Sequence, residues 1–216
     1  MPKTTLHQLN DFGQSIWLDY ISKSLMESGK LQKLIDQGLR GMTSNPSIFN
    51  QAISQGHEYD DEIVKLKKQG KSTFEIYDEL TVRDIQKACD IFKPVFTVSQ
   101  KLDGYVSLEI NPQLANKISE QAKEGQRLWK KVGRENLMIK VPSTEEGFPV
   151  IEDLIAQGIN VNVTLIFCAG GRVSLRVITA LSGPMGSYGF SISQDQPGTI
   201  NIRHNMFSGA QAIGYV

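Results

Sequence analysis

Residues 105–142 read YVSLEINPQLANKISEQAKEGQRLWKKVGRENLMIKVP. This stretch decides the fold class. It opens with a short apolar run, YVSLEI (105–110), and closes with another, LMIKVP (137–142). Between them Leu114, Ile118, Ala122, Gly125, Trp129 and Val132 recur at three- and four-residue spacings, one apolar stripe along a helix. Asn111-Pro112 supplies the N-cap and first-turn proline that start such a helix. A strand, a long helical crossover and a second strand make a parallel unit, because a tight hairpin cannot join parallel neighbours.

The same alternation extends in both directions. Upstream, SIWLDYI (15–21) is a first strand candidate, followed by a helical pattern over Leu25–Ile35. LRGMTS (39–44) is a second, ending at another Asn-Pro helix start, Asn45-Pro46. Two or three helical segments then run to about Phe92, and EYDDEIVKLKK among them reads as a solvated face. Downstream, Ser143 to Glu146 fits a capping box ahead of a helix over Ile151–Ala156. INVNVTLIF (159–167) is the fifth strand. Five strand-helix units open either a doubly wound sheet or a (β/α)8 barrel, and periodicity does not choose between them.

Composition bounds the class. A chain of 216 residues carries one domain or two small ones, and that length hides roughly 70% of its unfolded surface. Lys plus Arg and Asp plus Glu are balanced at 23 each, so global charge points neither to nucleic acid nor to an acidic membrane surface. No apolar run approaches the roughly 18 residues of a membrane span. The start, MPKTTLHQLNDFGQ, has no apolar core of a secretory signal. Cys89 and Cys168 form no CxxC pair, which supports neither a disulfide framework nor a zinc site. The expectation is a cytoplasmic globular protein.

The chain changes character after Phe167. Residues 168–216 hold eight glycines and only four charged residues, Arg172, Arg176, Asp195 and Arg203. SLRVITAL (174–181) reads as one strand or a short helix, and no further strand-helix unit follows. Residues 1–167 are therefore read as the barrel-like part, and residues 168–216 as an atypical tail.

In a parallel α/β protein reactive side chains gather at the carboxyl ends of the strands. Those ends carry Asp19, Thr43 with Asn45, Glu109, Lys140, and Asn162 with Thr164. Lys140 stands between Ile139 and Val141 in an otherwise apolar strand. A lysine with its ordinary pKa of about 10.4 is almost wholly protonated at neutral pH. An amine held among apolar walls gains the neutral fraction that attacks a ketone carbonyl. Read alone, Lys140 is equally a structural lysine reaching solvent, Asp19 a helix-terminal acid, and Glu109 an ion-pair partner. Read together, two carboxylates and one amine divide into a proton-abstracting base, a proton shuttle and an imine-forming nucleophile. Thr43, Asn45, Asn162 and Thr164 are caps and turn residues, or neutral partners for the hydroxyls of a polyol.

These residues carry a family resemblance. SIWLDYISKSLMESGKL, GMTSNPSIF, YVSLEI, LMIKVPSTEEG and INVNVTLIF, in that order over about residues 5–167, resemble the transaldolases, in particular their larger bacterial subgroup. The resemblance implies an α/β fold of the (β/α)8 TIM-barrel type, of which this chain holds about the first five units. It implies transfer of a dihydroxyacetone unit from a ketose phosphate such as sedoheptulose 7-phosphate to an aldose phosphate such as glyceraldehyde 3-phosphate, in the pentose phosphate pathway. Lys140 would form the imine. Asp19 would take the proton of the C4 hydroxyl, and Glu109 would act through a water held with Thr164. Asn45 and Asn162 would hold the retained three-carbon fragment, with Thr43 beside them. The family needs no metal and no organic cofactor, and its partners are sugar phosphates rather than nucleic acid or membrane.

The resemblance stops at Phe167. The family's fifth strand runs into a helix, then a sixth strand with a Ser/Arg-bearing segment that grips phosphate. Nothing matching follows here, so the phosphate role passes to none of Arg172, Arg176 or Arg203. The tail resembles translation in a shifted frame or the end of a damaged gene. The expectation is a chain of transaldolase ancestry with little activity of its own, prone to instability through open sheet edges. The other expectations are an inactive barrel fragment, or a class I aldolase that releases the three-carbon unit.

Overall fold

The computed structural model describes residues 3–164, together with two strands at 175–179 and 188–192. In chain order the elements are α1 (Thr5–Asp11), β1 (Trp17–Asp19), α2 (Lys23–Glu27), α3 (Lys30–Asp36), β2 (Gly41–Thr43), α4 (Pro46–Gln55), α5 (Asp60–Lys68) and α6 (Thr73–Val98). There follow β3 (Val106–Glu109), a 3-10 turn (Pro112–Leu114), α7 (Ile118–Val132), β4 (Leu137–Pro142), α8 (Gly147–Ala156), β5 (Val161–Thr164), β6 (Leu175–Thr179) and β7 (Tyr188–Ile192). The first five strands form one sheet in chain order, β1-β2-β3-β4-β5, so each joins its neighbour by a helical crossover. This is the parallel α/β class of the (β/α)-barrel type, with five parallel strands and the helical crossovers between them, as the sequence leads one to expect. β6 and β7 pair antiparallel in a separate two-stranded sheet. SLRVITAL thus contains a strand rather than a helix. The change of composition at Phe167 lies outside the described residues.

The chain divides into two compact units, residues 1–109 with 128–137 and residues 110–127 with 138–216. In the first, β1 and β2 pair with Trp17 opposite Gly41 and Asp19 opposite Thr43. Glycine at 41 is dictated by the indole across from it, because a Cβ there would lie 2.3 Å from the Trp17 ring. The same strand's Met42 is fully buried. α6 is the long element of this unit. Ser72 and Glu75 start it with a reciprocal capping box, the Ser72 hydroxyl accepting from Glu75 N–H and the Glu75 carboxylate from Ser72 N–H. Its Leu80, Ile85, Ala88, Cys89, Phe92 and Phe96 are buried, one stripe of a helix whose exposed side carries Arg83 and Asp90. Asn136, just ahead of β4, ties this region together by donating to Cys89 O and Gly104 O at 2.9 Å each.

In the second unit β4 and β5 run parallel, with Ile139 opposite Val161 and Lys140 opposite Asn162. Ile139 points to the helical side, since a Cβ at Gly125 of α7 would meet Leu154 of α8 at 2.9 Å and Ile139 at 3.4 Å. Lys140, one residue on, therefore faces away from those two helices.

Four local expectations are revised. The helical pattern over 25–35 is two helices, broken at Ser28 and Gly29. The helix after Asn111-Pro112 begins only at Ile118; Asn111 caps the 3-10 turn, its side chain accepting from Gln113 N–H at 3.0 Å. Because Leu114 lies outside that helix, the buried stripe takes a different phase: Gln121, Gly125, Leu128 and Val132 are buried, while Ile118 is exposed. Ahead of α8 the N-cap position is Glu146, whose side chain caps nothing, and the Thr144 hydroxyl accepts from Gly147 N–H at 3.0 Å. Ser143 instead donates its N–H to Thr164 O at 2.8 Å, which extends the β4–β5 ladder. Among the described residues no helix is long and apolar enough to cross a membrane.

Candidate active site

The first unit holds the ends of three strands. Asp19, the last residue of β1, is exposed and lies in register with Thr43 at the end of β2. Thr43 in turn lies in register with Ser107 of β3, and parallel register partners point to one face of a sheet. Glu109, two residues beyond Ser107, shares that face and is half-buried. Asn45 follows β2 directly, half-buried at the entry to α4, and its carbonyl accepts from Phe49 N–H at 3.2 Å. Asp19, Thr43 and Glu109 thus share one face, with Asn45 two residues beyond Thr43.

Sequence reasoning missed three neighbours of these residues. Ser107 is fully buried and donates its hydroxyl to Thr43 Oγ1 at 2.8 Å. Ser44 donates both its hydroxyl, at 2.8 Å, and its N–H, at 3.3 Å, to Ser107 O. Tyr77 of α6 sits edge-on to Phe49 at 6.5 Å. Burial first, and then the charges of Glu109 and Asp78, push its phenol up to about 12. The signal for Ser107 was present in YVSLEI, where a lone hydroxyl interrupts a buried strand. Nothing in the local pattern singles out Tyr77, whose relation to Glu109 depends on how α6 lies on β3.

The second unit holds Lys140, Asn162 and Thr164. Lys140 is 9% exposed, the one charged residue in β4, flanked by the fully buried Ile139 and Val141. Asn162, 4% exposed, is its direct register partner on β5. Thr164 lies two residues further on the same face, half-buried opposite Pro142. The arrangement places an amine and a carboxamide side by side, with a hydroxyl at the strand's end. An amine held this way in an apolar strand is suited to attack on a carbonyl. Among the described residues no group of three or more His, Cys, Asp or Glu side chains is placed to hold a metal ion.

Comparison with known proteins supplies the family. The family described as Transaldolase/Fructose-6-phosphate aldolase matches residues 16–174. A protein of Nostoc sp. named Transaldolase 2 is 47% identical over 163 residues, which is 75% of this chain and 43% of that protein. The Transaldolase of Trichodesmium erythraeum is likewise 47% identical over 163 residues, 75% of this chain and 43% of its own length. That of Saccharopolyspora erythraea is 45% identical over 165 residues, 76% of this chain and 44% of its own. The chain therefore spans less than half the length of these relatives. With a family match over most of its length, this chain belongs to the transaldolase/fructose-6-phosphate aldolase family.

Proposed function

We propose that this chain carries out the imine half of transaldolase chemistry, with Lys140 as nucleophile. The observation that carries the reading is the buried Lys140 opposite Asn162 in an otherwise apolar strand, in a chain of this family. The amine attacks C2 of a ketose phosphate, sedoheptulose 7-phosphate or fructose 6-phosphate, and water leaves as the imine forms. Asp19 takes the proton of the C4 hydroxyl; the C3–C4 electron pair flows into the imine, and an aldose phosphate departs. The three-carbon enamine that remains then adds to an acceptor aldehyde such as glyceraldehyde 3-phosphate. Water returns, with Glu109 relaying its proton beside Thr164, and the lysine is released. Thr43, Asn45 and Asn162 hold the hydroxyls of the retained fragment, which a polyol needs for fixed orientation. The pathway this serves is the non-oxidative pentose phosphate pathway, and the compartment the cytoplasm.

Turnover by this 216-residue chain is expected to be low. No segment after Phe167 resembles the family's phosphate grip, and remote binding energy is what orients a substrate for reaction. The domain division at Phe167 belongs to the same proposal. Borohydride reduction in the presence of fructose 6-phosphate tests the whole reading. A reduced adduct mapped to Lys140, forming far more slowly than on a full-length relative, supports it. No adduct at Lys140 refutes the imine role, and trapping as fast as on a full-length relative refutes the low-turnover claim.

The family description also names an aldolase activity, which favours a second reading: release of the three-carbon unit as dihydroxyacetone. Omitting the acceptor decides between them. Free dihydroxyacetone accumulating without acceptor indicates aldol cleavage; retention on Lys140 until an aldehyde is added indicates transfer.

A further inference from the structure

We propose that Asp103–Gly104 is a self-modification site: the pair closes to a succinimide and opens to isoaspartate once the contacts that clamp it in the folded chain are released. It is the single Asp-Gly pair of the sequence, which has no Asn-Gly. The fold demands both residues. Gly104 has φ +82°, and a Cβ there would lie 2.3 Å from Phe96 N and 2.9 Å from Phe92 O, so only glycine fits. The Asp103 carboxyl accepts from the Ser15 hydroxyl at 2.5 Å, and Ser15 Oγ accepts from the Trp17 indole N–H at 2.9 Å. A labile pair is thus built into the packing of the first unit.

The Gly104 nitrogen attacks Cγ of the protonated Asp103 carboxyl. The N–Cγ bond forms, the Cγ–OH bond breaks, and the amide proton leaves with that hydroxyl as water. Water then opens the ring. Hydrolysis at the former side-chain carbonyl returns aspartate; hydrolysis at the former main-chain carbonyl gives isoaspartate. Glycine leaves the attacking nitrogen unshielded. Burial favours the protonated carboxyl, while the Ser15 hydrogen bond and the Arg40 charge oppose it. What the fold withholds is motion, since closure must turn the 103–104 peptide and swing the carboxyl onto its nitrogen. Gly104 N–H donates to Arg40 O at 2.7 Å and Asp103 N–H to Ser99 Oγ at 2.9 Å, while Ser15 holds the carboxyl. Asn136 also donates to Gly104 O, at 2.9 Å. Isoaspartate puts one extra carbon in the main chain just ahead of β3, where Met42 N–H donates to Tyr105 O at 3.0 Å. A modified chain therefore cannot restore both that β2–β3 bond and the Gly104–Arg40 contact.

The full chain, folded in buffer or unfolded in urea, is aged at one pH and temperature. Its tryptic peptide 102–117 is then resolved into aspartate and isoaspartate forms. The unfolded chain is expected to gain isoaspartate at 103 severalfold faster than the folded chain. Its refoldable fraction, read by circular dichroism, should fall in step. Ser15→Ala frees the carboxyl, and this variant in its folded state is expected to isomerise severalfold faster than the unaltered folded chain. If Ser15→Ala does not fold, Ser99→Ala, which frees the Asp103 N–H, takes its place with the same expected result. Equal rates in folded and unfolded chains, or no isoaspartate in either, overturns the proposal. A folded variant that ages no faster than the unaltered chain overturns it too.

Discussion

Lys140 and Asn162 are direct partners in the parallel β4–β5 ladder, one amine and one carboxamide facing the same way from adjacent buried strands. Such a pair has a chemical consequence when a carbonyl compound is added to the amine. The carboxamide stands where it can hold an oxygen of the bound fragment without competing as a nucleophile. Asn162→Ala is therefore expected to slow borohydride trapping of dihydroxyacetone by between about threefold and about tenfold. Lys140→Arg is expected to abolish it, since a guanidinium stays protonated. Mass spectrometry of the reduced chain reads both outcomes. Full trapping in Lys140→Arg would place the nucleophile on another lysine.

Asp84 of α6 leads to a pH dependence. It accepts a hydrogen bond from the buried Tyr59 hydroxyl at 2.5 Å, and both side chains are buried. Burial pushes the carboxyl up to about 6 from 3.8, and Glu62 adds to this; the Tyr59 hydrogen bond and the charges of Lys23 and Lys87 oppose it. The folded state therefore binds this proton more tightly than the unfolded one. Its contribution to stability is complete below the unfolded value of 3.8 and is lost as pH rises through about 6. The loss is on the order of 2–3 kcal/mol. Asp84→Asn removes it. Urea unfolding between pH 4 and 7.5 should show the variant gaining on the unaltered chain as pH rises. Parallel profiles would mean that Asp84 titrates alike in both states.

The architecture was legible in the sequence to the extent that strands announce themselves by composition. LMIKVP became β4 at its full length, because a strand buried on both sides tolerates little but apolar residues. SIWLDYI and LRGMTS were each reduced to three residues, Trp17–Asp19 and Gly41–Thr43. Apolar flanking residues such as Ile16, Ile21 and Leu39 lie outside the strands, which composition does not distinguish. The phase of α7 was misjudged because Leu114 suited a helical stripe while belonging to a separate turn. Among the candidate residues, those at strand ends followed from topology. Ser107 and Tyr77 did not, because their importance lies in which neighbour they face. That requires the register of β2 against β3, and the way α6 lies on the sheet.

Asn136 offers a test of the polar interior. Its carboxamide N–H groups satisfy two carbonyls, Cys89 O and Gly104 O, from an almost wholly buried position. Asn136→Ala leaves both carbonyls without this donor, and each buried polar group so deprived costs about 1–3 kcal/mol. Asn136→Asp is expected to be worse at neutral pH, since an ionised carboxylate donates nothing and faces two carbonyl oxygens. Acidification should then rescue Asn136→Asp relative to Asn136→Ala, because a protonated carboxyl regains one donor. Chemical denaturation at pH 4.5 and 7.5 reads the difference. Equal losses at both pH values would show that the carboxamide fills space and that its hydrogen bonds contribute little.

Gly41 and Trp17 set the pairing of the first two strands, and the pair predicts a strong size limit. A Cβ at position 41 would lie 2.3–2.7 Å from three atoms of the indole, well inside van der Waals contact. The indole has little room to yield. Its Nε1 donates to Ser15 Oγ at 2.9 Å, and Ser15 in turn donates to Asp103 at 2.5 Å. Gly41→Ala is thus expected to destabilise the chain by about 1–3 kcal/mol through overpacking. The cause is specific to the ring, so a smaller residue at 17 should absorb the methyl. Trp17→Leu alone loses buried aromatic area and is itself destabilising. In the double variant the two losses should sum to clearly less than additivity, by about 1 kcal/mol or more. Urea midpoints of the four chains measure this coupling. Strict additivity would mean that Gly41 is required for its backbone conformation, and that the indole does not set the spacing of β1 and β2.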